Sequence, residues 1–110
     1  MSLKNIQKDV DKWASQFEPA YWPALEQYAQ LNEEVGELGR LLLHKYGHKK
    51  LKEREKESPL EEELVDVLFP IICIANREGI NLQEAWKKMI YERLYKRDNK
   101  RYKRKEKLLN

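Results

Sequence analysis

Two pairs of carboxylates stand three residues apart in this chain, Glu34-Val35-Gly36-Glu37 and Glu63-Leu64-Val65-Asp66. In a helix, a separation of three puts both members of a pair on one face, within reach of one ligand. Asp66 is the only charge in the run from Leu64 to Ala75. An ionised carboxylate left alone in apolar surroundings costs several kcal/mol even after relaxation, so Asp66 is expected to be neutralised, hydrogen-bonded, ion-paired or metal-bound. A rotation of about 100° per residue lines up Leu31, Val35, Leu38 and Leu42, with Glu34 between that stripe and Leu41 and Glu37 flanking it; Glu33 turns towards water. Two helices that each aim two carboxylates inward repel one another unless a cation lies between them. An all-oxygen donor set suits Mg²⁺ or Mn²⁺ rather than zinc or copper. No Glu-x-x-His pair is present for a diiron centre. His44 and His48 are four apart, but with Gly47 between them and no third ligand at matching spacing they do not complete a zinc site.

The elements that position these residues are helices. Ile6, Val10, Trp13 and Phe17 share a face of a helix predicted over Leu3 to Phe17, which makes Trp13 a core residue by spacing. A second helix is predicted from Pro23 to about Tyr46, with Gly47 to end it. The charged stretch HKKLKEREKES reads as a mobile connection near 47–58. Ser58-Pro59-Leu60-Glu61 has the residues of a capping box, so a third helix should start there and stop near Gly79. Asn81-Leu82-Gln83-Glu84 repeats the capping pattern and opens a fourth, which fades after about Arg97 into a basic tail near 98–110.

The fold class is therefore all-α, an antiparallel four-helix bundle in a single domain over 1–110. The third helix is apolar nearly all round, more than four short helices cover, so a second subunit is expected against it. Gly36 and Gly39 each cost roughly 1 kcal/mol inside a helix, which suggests close approach of another backbone or a ligand. Pro70 cannot donate to the carbonyl of Asp66.

A length of 110 residues with 41% hydrophobic and 37% charged content fits one soluble domain. The first ten residues have no signal-peptide core, and no apolar run approaches the roughly 18 residues of a membrane span, so a cytoplasmic protein without membrane contact is expected. The single cysteine, Cys73, lies between Ile72 and Ile74 and reads as packing. The net charge is +3, with basic residues crowded between Lys87 and Lys107. Such a segment favours an anionic partner: a phosphate ligand, a nucleic acid or an acidic protein.

Glu34-Val-Gly-Glu37-Leu followed by Glu63-Leu-Val-Asp66-Val-Leu-Phe resembles the paired ExxE and ExxD motifs of MazG-like nucleotide pyrophosphohydrolases, all-α enzymes related to dCTP and dUTP pyrophosphatases. YWPALEQYAQLNEEVGELGR, the Gly79-Ile80-Asn81-Leu82 turn, and Arg97-Asp98 with Arg101-Tyr102 are similar to the short YpjD-type subgroup. The resemblance implies a bundle assembled as a dimer or dimer of dimers. It also implies Mg²⁺-dependent cleavage of a nucleoside triphosphate to the monophosphate and pyrophosphate, in nucleotide-pool housekeeping. Glu34, Glu37, Glu63 and Asp66 would hold the metal, with Mn²⁺ as a substitute, and Glu33 or one of those four would orient the attacking water. Lys45, Arg97 and Arg101 would meet phosphates, and Trp22 and His44 the base. Many relatives have a lysine and an asparagine in the last helix where this chain has Met89 and Arg93. The alternatives are a phosphoribosyl-ATP pyrophosphohydrolase-like enzyme and a non-catalytic module that binds nucleic acid through the basic tail.

Overall fold

A computed structural model describes residues 1–53 and 57–105. Helix α1 spans Leu3–Ala14, α2 Ala24–Tyr46, α3 Leu60–Arg77 and α4 Leu82–Lys88; α4 runs on as a wider, π-helical segment over Met89–Asp98. There is no strand among the described residues. Three of the four predicted starts and ends agree within a residue or two. The first helix stops three residues early, at Ala14, and Phe17 follows it in a turn.

Local chemistry accounts for the boundaries. The Ser2 hydroxyl accepts from the Asn5 amide and Asn81 accepts from the amides of Gln83 and Glu84, so orphan donors at both helix starts are satisfied. The expected capping box at α3 does not form: Pro59 occupies the cap position without a side-chain bond, and Ser58 turns its hydroxyl to Glu63 instead. Two glycines are needed for their shape. Gly79 ends α3 with φ at +67°, in the left-handed region. A Cβ on Gly47 would lie 2.9 Å from the Leu43 carbonyl oxygen. Gly36 and Gly39, by contrast, face open space, so the close approach expected at these positions is not made among the described residues.

α2 packs chiefly along α3, and α1 lies across α3 and α4. A polar latch ties α1 to the α3–α4 turn: Gln7 donates to Asn76 and to the Ile80 carbonyl, and accepts from the Leu82 amide. Tyr21 donates to Asp11 at 2.6 Å and accepts from Asn76; burial, then the bond to Asp11, pushes its phenol up to about 12. The buried apolar set is small, namely Ala14, Leu41, Ile72, Cys73 and Ala75, beside a fully buried Pro70 through which α3 continues. Cys73 packs as expected, and burial raises its thiol pKa.

The shape is open. The radius of gyration is 18.6 Å, against about 13 Å for a compact domain of this length. Leu64, Val65, Leu68 and Ile71 of α3 and Val35 and Leu42 of α2 remain well exposed. The stripe read as facing the core is thus only partly covered, and Leu41 supplies the buried contact in its place. The charged connection lacks helix over 47–53 and 57–59; its residues 54–56, and 106–110 of the basic tail, lie outside the described residues.

Candidate active site

Gln27, Glu34 and Leu41 recur every seven residues on α2, which keeps them on the side turned to α3. Glu37 follows one turn after Glu34, and Glu63 sits in the first turn of α3. One carboxylate oxygen from each of Glu34, Glu37 and Glu63 lies within 4.8 Å of the others. The Gln30 amide donates to Glu34 Oε1 at 2.7 Å, and the Ser58 hydroxyl donates to Glu63 Oε1. The remaining oxygens, Glu34 Oε2 and Glu63 Oε2, are buried without a partner.

An unsatisfied buried acceptor costs about 1–3 kcal/mol, more when charged, and two of them converge here. Burial first, then the charges of Glu37 and Asp66, raises the Glu34 pKa above its ordinary 4.5, against the opposing bond from Gln30. Cluster and orphan oxygens together fit a hard divalent cation, which takes carboxylate oxygens and keeps waters. The cation's charge would remove both the repulsion and the missing partners.

Asp66 is placed differently from the sequence reading. It is exposed, one turn after Glu63, and lines an open groove with Glu61, Glu62 and Val65. It stands outside the trio but close enough for its charge to act on Glu34. The buried charge on α3 is Glu63, 9% exposed. Asp66 lies one turn beyond Glu63 on the same helix face, at a point of α3 that the other described residues leave uncovered. Glu33 faces solvent on α2, as its helical position requires.

Next to the trio is a cavity of about 400 Å³ lined by Trp13, Phe17, Trp22 and Phe69, with Gln27 and Gln30 among its polar walls. Trp13 is therefore not the core residue its spacing suggested. It is 54% exposed, with Phe17 at 5.1 Å and Phe69 edge-on at 6.0 Å between ring centroids. Gln30 joins the two regions, since it lines the cavity and holds Glu34.

The cations are engaged elsewhere. Lys45 Nζ lies 3.4 Å and His44 Nε2 3.7 Å from the Glu57 carboxylate, while His44 Nδ1 accepts from the Leu51 amide. Arg97 and Arg101 both hold Asp98, at 3.0 and 3.4 Å, and hydrogen bonds from Arg97 first keep that carboxyl below its ordinary 3.8. Gln27, Gln30, Ser58, Phe17 and Phe69 were not singled out as site residues by sequence reasoning. Gln27 carried a signal, a polar side chain two turns before Glu34 on one helical stripe; Ser58 was read only as a cap.

Residues 24–102 match the MazG nucleotide pyrophosphohydrolase domain, over a span that includes all three clustered carboxylates. The chain belongs to the MazG family. It is 41% identical over 105 residues to the uncharacterized protein YpjD of Bacillus subtilis strain 168, covering 96% of this chain and 94% of the relative. The crystal structure of Bacillus subtilis YPJD, described as a candidate pyrophosphatase, is similar with a TM-score of 0.75 and 40% identity over 84% of this chain and 95% of that one. A Bacillus-conserved MazG protein described as a nucleotide pyrophosphohydrolase is similar with a TM-score of 0.72 and 37% identity, over 91% and 96% of the two chains. This MazG chain is thus of a hydrolase family that acts on the phosphoanhydride bonds of nucleotides. Among its described residues no helix is long and apolar enough to cross a membrane.

Proposed function

We propose that this MazG protein hydrolyses a nucleoside triphosphate between its α and β phosphates, releasing the monophosphate and pyrophosphate. The observation that carries the reading is the carboxylate trio with two buried, unpartnered oxygens, joined by Gln30 to an aromatic cavity. Glu34, Glu37 and Glu63 are assigned to the metal, Mg²⁺ with Mn²⁺ able to replace it, and Asp66 completes the set from the same helix face. When bound, the cation supplies charge neutralisation for the phosphate chain and for the transition state.

The chain's own residues do the rest. The cavity holds the base against Trp22 and its neighbours, which fixes the phosphates at the α2–α3 cleft. A carboxylate, Glu33 or one of the four ligands, takes a proton from the water that attacks the α phosphorus, and pyrophosphate leaves. Lys45, Arg97 and Arg101 are the assigned phosphate contacts, and each would exchange Glu57 or Asp98 for a phosphate oxygen. His44, held beside Lys45 on Glu57, lies outside the cavity lining and fits the phosphate end of the cleft better than the base. The exposed apolar residues of α3 and α2 support a dimer or a dimer of dimers, since large exposed apolar surface is normally covered by another protein surface. The protein would act in the cytoplasm on the nucleotide pool. A nucleic-acid module is less well supported: it gives no role to the carboxylate trio and its two unpartnered oxygens.

The test is a pyrophosphate-release assay on canonical and damaged ribo- and deoxynucleoside triphosphates with Mg²⁺ or Mn²⁺. Equimolar monophosphate and pyrophosphate are expected. Orthophosphate as the first product, or no release from any nucleotide, would contradict the proposal.

A further inference from the structure

Gln27 is a polar side chain in an aromatic wall. It is 7% exposed as a residue and lines the cavity, and its amide atoms stay accessible rather than sealed in the core, with no hydrogen bond to the other described residues. An amide carries two donors and an acceptor. Its neighbour Gln30, by contrast, donates its amide to Glu34 and is thereby fixed in one orientation. The apolar walls around Gln27 are Trp13, Phe17, Trp22 and Phe69, flat rings suited to the faces of a planar heterocycle. Seven residues at 1.5 Å rise separate Gln27 from Glu34 along α2 by roughly 10 Å. That spacing is about the reach from the edge of a base, through its sugar, to the 5′-phosphates.

We infer that Gln27 is a base-binding residue whose side-chain amide hydrogen-bonds the polar edge of the nucleobase held in the Trp13–Phe17–Trp22–Phe69 cavity. The inference rests on the nucleotide reading of the site and extends it to the recognition of the base. An amide offers a donor and an acceptor side by side, which complements an edge where the two alternate, as in adenine, cytosine and uracil. No group among the described residues fixes the Gln27 amide, so it rotates to suit either order. The cavity should therefore accept amino and keto bases alike and discriminate against rings without a hydrogen-bonding edge.

The experiment titrates the intrinsic tryptophan fluorescence of the full chain, in Mg²⁺, with the 5′-monophosphates of adenosine, cytidine, guanosine and uridine. Trp13 and Trp22 line the cavity, so base entry is read without any need for turnover. The wild type should bind all four with dissociation constants within about tenfold of one another. Gln27→Leu, an apolar replacement at a buried position, should weaken all four by roughly tenfold or more. Gln27→Glu provides acceptors only. It should retain guanosine monophosphate, whose edge presents two adjacent donors, and lose affinity for the other three, a change in relative preference that a purely structural role would not produce. Circular dichroism of each variant reports retention of the fold.

If Gln27→Leu binds every monophosphate as tightly as the wild type, or Gln27→Glu shifts all four equally, the inference is overturned. It is also overturned if no monophosphate changes the wild-type fluorescence. Binding with the predicted shifts in a protein that releases no pyrophosphate would keep the assignment of Gln27 and remove only the hydrolase reading.

Discussion

The protein has two acidic centres solved in opposite ways. At Asp98 one carboxylate meets Arg97 and Arg101, and the pairing lowers its pKa. At the α2–α3 cleft three carboxylates meet with no cationic side chain paired to them among the described residues, two oxygens are orphaned, and the Glu34 pKa is raised. The first arrangement is complete within the chain and fastens the end of the last helical segment. The second is incomplete among the described residues, and it is the one assigned to chemistry. Acid residues are common on both helices; what separates a structural carboxylate from a functional one here is whether the protein supplies the counter-charge.

Removing members of each centre should break this contrast in different ways. The largest effect is expected at the trio: Glu63→Gln or Glu34→Gln should lower kcat for pyrophosphate release by at least about a hundredfold. Thermal melts in EDTA should show the same variants no less stable than wild type, because the repulsion is relieved. A marked loss of metal-free stability would show that the carboxylates are structural.

The next effect is on stability with metal. At a hundredfold excess over its dissociation constant, Mg²⁺ should add about 2.7 kcal/mol to the wild type, a shift of several degrees in Tm that Glu63→Gln should abolish.

A smaller effect is expected from pH. Glu34 has its pKa raised in the fold, so the native state binds this proton more readily than the unfolded chain and the associated destabilisation is present above the folded pKa. Acidifying the metal-free protein from neutrality should therefore first relieve that penalty. Asp98 has the opposite sign: its contribution is present above the ordinary 3.8 and is lost as pH falls through the lowered folded value. A Tm profile in EDTA should rise on mild acidification and fall in strong acid; Asp98→Asn should flatten only the second limb. The smallest effect should come from Asp98→Asn at neutral pH, since the arginines facing Asp98 are largely exposed and exposed pairs contribute little.

Much of this was legible in the sequence. Spacing of three placed Glu34 with Glu37 on one face, and helical rotation turned Glu33 to solvent, because these are properties of a single helix and need no tertiary information. Helix starts and stops at Asn81, Pro23 and Gly79 were likewise local. The inversion between Glu63 and Asp66 was not legible. Which of two residues one turn apart is buried depends on where α2 crosses α3, and an apolar run on every side of Asp66 does not say which part of the helix a neighbour covers. Trp13 failed for a related reason. Its apolar spacing was read correctly, but the helix ends at Ala14, and Trp13 and Phe17 line a cavity rather than a packed core.

The central claim is that Glu34, Glu37 and Glu63 make a divalent-cation site. Titration of Mn²⁺ into the protein, followed by the electron paramagnetic resonance signal of the free aqua ion, tests it directly. Wild type should deplete that signal, and Glu63→Gln and Glu34→Gln should leave it at the level of buffer. Equal depletion by wild type and both variants, or no depletion by wild type, would contradict the account.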